Sequence, residues 1–150
     1  MHRLLRGENN KLFLFGAGGM GKSELARQYL RKFQGEYSTL VWLTYNTDIQ
    51  EMLISDQFLL IRGLESEKQD LTPQAREAYY EKKLNYLKEH CNSDTLLVVD
   101  NLDMQDPRLS QLLEGRYSMI ITSRISREKE GYQELAVQPL NRWEDQLALF

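Results

Sequence analysis

The stretch GAGGMGKSELA, residues 16–26, places four glycines within six residues and then runs straight into an apolar helical pattern. Glycine inside a regular element costs stability, so the cluster points to a backbone that residues with side chains do not adopt. From Gly16 to Ser23 it fits G-x-x-x-x-G-K-[ST]. It lies between KLFLF (11–15), which reads as a buried strand, and a helix carrying Leu25, Ala26, Tyr29, Leu30 and Phe33. In that setting the segment Gly16, Ala17, Gly18, Gly19, Met20, Gly21, Lys22, Ser23 and Glu24 is expected to turn backbone N–H groups toward phosphate oxygens, helped by the helix dipole. Lys22 is expected at the β- and γ-phosphates and the Ser23 hydroxyl on Mg²⁺. The bland reading is a turn with spare glycines and a surface lysine; the strand-loop-helix context favours the phosphate site.

Outward from the loop, short apolar runs alternate with helical patterns. TLVWLTY (39–45), TLLVVD (95–100), SMIITS (118–123) and the weaker ELAV (134–137) read as strands. Residues 48–64 read as a helix ending near Gly63, residues 65–72 as a loop, Thr72-Pro73 as the start of a helix reaching about His90, and 106–114 as a short helix. Near-continuous apolar strands alternating with helices imply an α/β fold with a parallel sheet covered on both faces.

A strand ending in an acid, Leu96-Leu97-Val98-Val99-Asp100, supplies a second piece of the same site, since Asp100 is placed to hold Mg²⁺ through water. In a third strand, Ile120-Ile121-Thr122-Ser123-Arg124, the arginine leaves at the carboxyl end, where it is able to read a γ-phosphate, and Thr122 or Ser123 is able to orient water. Alone, Arg124 would read as a solvated loop residue.

The bulk properties set limits. One hundred and fifty residues, 41% hydrophobic, suffice for one domain and core. A net charge of −3 gives no basic field, so a nucleic-acid partner is not expected. The single cysteine, Cys91, cannot form an internal disulfide and reads as filler at a helix end, which favours a reducing compartment. No apolar run approaches the roughly 20 residues of a membrane span, so a soluble cytoplasmic protein is expected. Tyr79, Tyr80 and Tyr86 share their stretch with Glu77, Glu81 and Glu89, which reads as core packing with a solvated face. His2 and His90 show no ligand spacing, and Arg127-Glu128-Lys129-Glu130 reads as a solvated loop in which Arg127 is a candidate subunit-interface cation.

GAGGMGKSELA, TLLVVDNLD, SMIITSR and PLNRWEDQLALF, in that order and with VWLTYN in the second strand, resemble the STAND class of P-loop NTPases, in particular its NB-ARC/AP-ATPase nucleotide-binding domains. The resemblance covers nearly the whole chain. It implies a three-layer ASCE-type fold with a five-stranded parallel sheet in the order 5-1-4-3-2, and a nucleotide-binding domain over 1–139 followed at 140–150 by the start of a truncated helical lid. It also implies Arg124 as the γ-phosphate sensor, ATP/ADP and Mg²⁺ as cofactors, and effector and sensor domains in the same protein. ADP would hold a closed monomer, and exchange for ATP would permit self-association. Both ends read as cut, so an excised domain with weakened nucleotide binding is expected. The family often carries a second acid after the strand aspartate; here it is Asn101, which cannot accept a proton, so slow hydrolysis is expected unless Asp103 substitutes. Asp103 itself reads better as a helix cap. The alternative is an AAA-like or DNA-processing ATPase whose fast turnover uses an arginine from a neighbouring subunit, worth about 10³ to 10⁵ in rate. A guanine nucleotide is disfavoured, because no N-K-x-D motif occurs.

Overall fold

The computed structural model describes residues 1–55 and 72–138. The expected start of a helical lid at 140–150, the second half of the 48–64 helix and most of the loop after it lie outside the described residues.

Five parallel strands form one sheet: β1 (Lys11–Phe15), β2 (Thr39–Thr44), β3 (Thr95–Asp100), β4 (Ser118–Ser123) and β5 (Glu134–Ala136), in the order β2-β3-β4-β1-β5. This is the expected 5-1-4-3-2 order read from the other edge. The helices are α1 (His2–Leu5), α2 (Lys22–Phe33), α3 (Ile49–Ser55), α4 (Pro73–His90) and α5 (Leu109–Leu113). Alternate strand residues enter two cores. Leu12, Leu14, Leu96, Val98 and Ile120 pack with Leu25, Ala26 and Tyr29 of α2, while Phe13, Val41, Leu43, Leu97, Val99, Met119 and Ile121 pack with α3, α4 and α5. Burial on both faces is why β3 and β4 carry no polar alternation in their centres.

Most boundaries fall where the local chemistry puts them. Pro73 opens α4 behind Thr72, whose side chain accepts from the Ala75 N–H at 3.2 Å, and Cys91 closes it, buried. Tyr79 and Tyr80 are in the core; Tyr86 is exposed and stacks on His90. β2 stops one residue early, at Thr44, although the Tyr45 N–H still donates to the Asp100 carbonyl at 2.8 Å, and α5 begins at Leu109 rather than 106 because the Asp106 carboxylate caps the preceding turn through the Arg108 N–H. β5 is also shorter than expected.

Arg127 requires a correction. It is 2% exposed, its guanidinium donates to the Met104 carbonyl at 2.7 Å and lies 5.8 Å from the centre of the Phe13 ring, and its backbone N–H donates to Glu134. A cation so enclosed anchors a loop and is not presented to a neighbouring subunit.

Candidate functional site

Register positions the site. Phe15 of β1 is level with Ser123 of β4, Val99 of β3 with Ile121, and Thr44 of β2 with Asp100. The carboxyl ends of four adjacent strands therefore open onto one cleft of about 600 Å³. Gly18, Gly19, Gly21, Lys22, Ser23 and Glu24 line one side. Tyr45, Asn46, Asn101, Asp103, Met104 and Arg124 line the rest.

The loop between β1 and α2 explains the glycines by separate causes. Gly19 and Gly21 adopt φ of +78° and +82°, where an L side chain is strained, and Gly21 is the N-cap of α2. Gly16 is needed for proximity, because a Cβ there would stand 2.6 Å from the Val137 carbonyl oxygen. Lys22 is 8% exposed, and its ammonium donates to the carbonyls of Gly16 at 2.7 Å and Ala17 at 2.8 Å, bridging the two ends of the loop.

Ser23, in the first turn of α2, donates its hydroxyl to Asp100 Oδ1 at 2.6 Å. The same oxygen accepts from Thr122 Oγ1 at 2.6 Å, and that hydroxyl accepts the Asn101 N–H at 2.9 Å. Thr122 thus ties the end of β3 to β4. Ser123 donates to the Leu102 carbonyl at 2.7 Å. Both hydroxyls are fully buried and neither lines the cleft, so the expectation that Thr122 or Ser123 orients water is not met. Asn101 has φ +67°, a left-handed conformation that asparagine tolerates better than most residues, and it lines the cleft.

Asp103 is not a helix cap. The nearest following helix starts at Leu109, and the carboxylate instead grips Arg124, accepting its backbone N–H at 2.7 Å and its Nε–H at 2.5 Å. Sequence reasoning missed Tyr45, Asn46 and Met104 as cleft residues. Tyr45 and Asn46 follow the carboxyl end of a strand neighbouring β3, a position that was itself a usable signal. Burial and then the neighbouring Asp106 carboxylate raise the Tyr45 pKa, keeping this phenol neutral.

The chain matches the family model for the NB-ARC domain over residues 1–135. It belongs to the NB-ARC family. No curated protein matches the chain. As an NB-ARC domain the chain is a STAND-class P-loop NTPase unit and a nucleotide-binding domain of the signal-transduction type. Among the described residues of this NB-ARC domain, no helix is long and apolar enough to cross a membrane.

Proposed function

We propose that this domain is the nucleotide-operated switch of a cytoplasmic signalling protein. In this reading it holds ADP at rest, exchanges it for ATP and hydrolyses ATP slowly, and the bound nucleotide controls self-association. The observation that carries the reading is the convergence of Lys22, Ser23 and Arg124 on a single cleft at the carboxyl ends of β1, β3 and β4, with Asp100 buried behind Ser23 and bonded to its hydroxyl.

The phosphate chain runs along residues 16–24, with the backbone N–H groups and the α2 dipole facing it. Lys22 turns from the loop carbonyls to the β- and γ-phosphates. The hydroxyl of Ser23 and the carboxylate of Asp100, 2.6 Å apart, are hard oxygen donors suited to Mg²⁺, directly or through water. The cation would neutralise charge building on the β- and γ-oxygens. Arg124 meets the third phosphate and so distinguishes ATP from ADP. Asn101 lines the cleft at the position where an acid would polarise water; an amide takes no proton, so turnover is slow and the protein dwells in each state. The lid proposed from residue 140 onward, and effector and sensing domains in the same protein, would convert that dwell time into a signal.

Removing the Lys22 ammonium deletes a charge-assisted contact worth roughly 1.5–3 kcal/mol, so Lys22→Ala should weaken ADP binding by about 10- to 100-fold, while thermal unfolding of the nucleotide-free protein reads separately the smaller loss from its two bonds to the Gly16 and Ala17 carbonyls. Undiminished ADP affinity in calorimetry would refute the site. Fast turnover that climbs with protein concentration would instead favour an energetic ATPase.

A further inference from the structure

Arg124 is exposed over 62% of its side chain, just beyond the end of β4. An exposed arginine spreads over many rotamers, and freezing them on binding subtracts from affinity. This one is held. Its stem lies near the phosphate loop, with Cδ 3.9 Å from where a Gly18 Cβ would be. Asp103 then holds it at two points, Oδ1 on the backbone N–H and Oδ2 on Nε. The grip is itself anchored: the Asp103 N–H donates to the Asn101 carbonyl at 2.8 Å, and the next carbonyl, that of Met104, accepts from the buried Arg127. With Nε engaged, the plane of the guanidinium is set, and its two terminal nitrogens make no hydrogen bond to a described residue. Arginine suits this division of labour because its donors form a rigid fork, so holding one edge aims the other.

We infer that Asp103 is a positioning residue that orients Arg124 over the phosphate loop and leaves its terminal nitrogens for the third phosphate of a nucleoside triphosphate. The inference rests on the reading of Arg124 as the γ-phosphate sensor. Asp103 touches no phosphate; its charge is balanced by Arg124, and its effect passes through that side chain.

The test is the ratio of affinities for a non-hydrolysable ATP analogue and ADP, measured by calorimetry in the full chain for wild type, Asp103→Asn, Arg124→Ala and the double variant. Asparagine keeps an oxygen for the Arg124 backbone N–H but loses the ion pair to Nε; Asp103→Ser is the second variant should the amide destabilise the loop. The preference for the triphosphate analogue should fall about fivefold in Asp103→Asn, toward the Arg124→Ala value, with ADP affinity unchanged. The double variant should match Arg124→Ala alone, because a residue acting through another adds nothing once that partner is gone. An unchanged preference in both Asp103 variants, beside a loss in Arg124→Ala, overturns the inference and leaves the sensor standing. Tighter binding of the analogue in Asp103→Asn also overturns it, since the carboxylate would then compete with phosphate. A preference unaffected by Arg124→Ala, in a protein whose binding still needs Lys22, removes the sensor reading itself.

Discussion

At Gly16 the missing side chain is a matter of space, because the carbonyl of Val137, the residue just after β5 and hydrogen-bonded to Phe15 of β1, occupies the place of a Cβ. Gly16→Ala should push the end of β5 away and cost about 1–3 kcal/mol, as overpacking typically does. Urea unfolding would read the loss, and a variant as stable as wild type would show that Val137 yields freely. Residues whose place in the fold is set by their immediate neighbours were legible in the sequence: the loop glycines, Lys22 and Ser23 form one continuous pattern between β1 and α2, and Asp100 ends an unmistakable apolar strand. Asp103 and Arg127 were not legible. Their partners, Arg124 and Met104, are 21 and 23 residues away in sequence, and only the pairing of β3 with β4 brings them within reach.

The loop after β3 joins several elements through one side chain. Asp106, buried, accepts from the Ile49 N–H at 2.7 Å at the start of α3, from the Tyr45 phenol at 3.3 Å after β2, and from the Arg108 N–H at 2.9 Å before α5. Asp106→Ala would strand two backbone donors and a phenol. Since each buried unsatisfied group costs about 1–3 kcal/mol and two of the three, the Ile49 N–H and the Tyr45 phenol, are buried, the variant should lose roughly 2–6 kcal/mol, with hydrogen exchange rising first at the start of α3. Uniform exchange across the domain would argue against a local role. Helix ends showed the same contrast between near and distant causes. Thr72-Pro73 marked the start of α4 correctly because that cap is closed by Ala75, three residues on. The start of α5 was misplaced because the Asp106 side chain works in the turn before it.

Across the molecule, buried tyrosines set the alkaline limit of stability. Burial raises the pKa of Tyr80 to about 12 and raises those of Tyr29 and Tyr117, with the Tyr37 hydrogen bond adding to the effect at Tyr29. Above about pH 10 the unfolded chain loses phenolic protons that the folded chain retains, so it binds fewer protons and stability must fall as pH rises. The share of tyrosinate absorbance that belongs to Tyr29, Tyr80 and Tyr117 should therefore appear together with unfolding; ionisation of these phenols in a still-folded protein would contradict their enclosure. Stabilisation by ligand is the complementary global measurement. ADP at 100 times its Kd should add about 2.7 kcal/mol, and a midpoint that does not move would show that this chain does not hold the nucleotide by itself. Periodicity alone gave the α/β class and the parallel sheet but not the order of its strands, which came from the family resemblance; no local pattern records which strand lies beside which.

That order has a consequence for how the protein is made. β1 is synthesised early, yet its sheet neighbours are β4 and β5, which begin only at Ser118 and Glu134. Closing so long a stretch of chain is entropically expensive and comes late in folding. On the ribosome the apolar segment Lys11–Phe15 must wait without its neighbours until most of the domain has emerged, which makes it a natural binding stretch for chaperones and an aggregation hazard in chains that stall before β4.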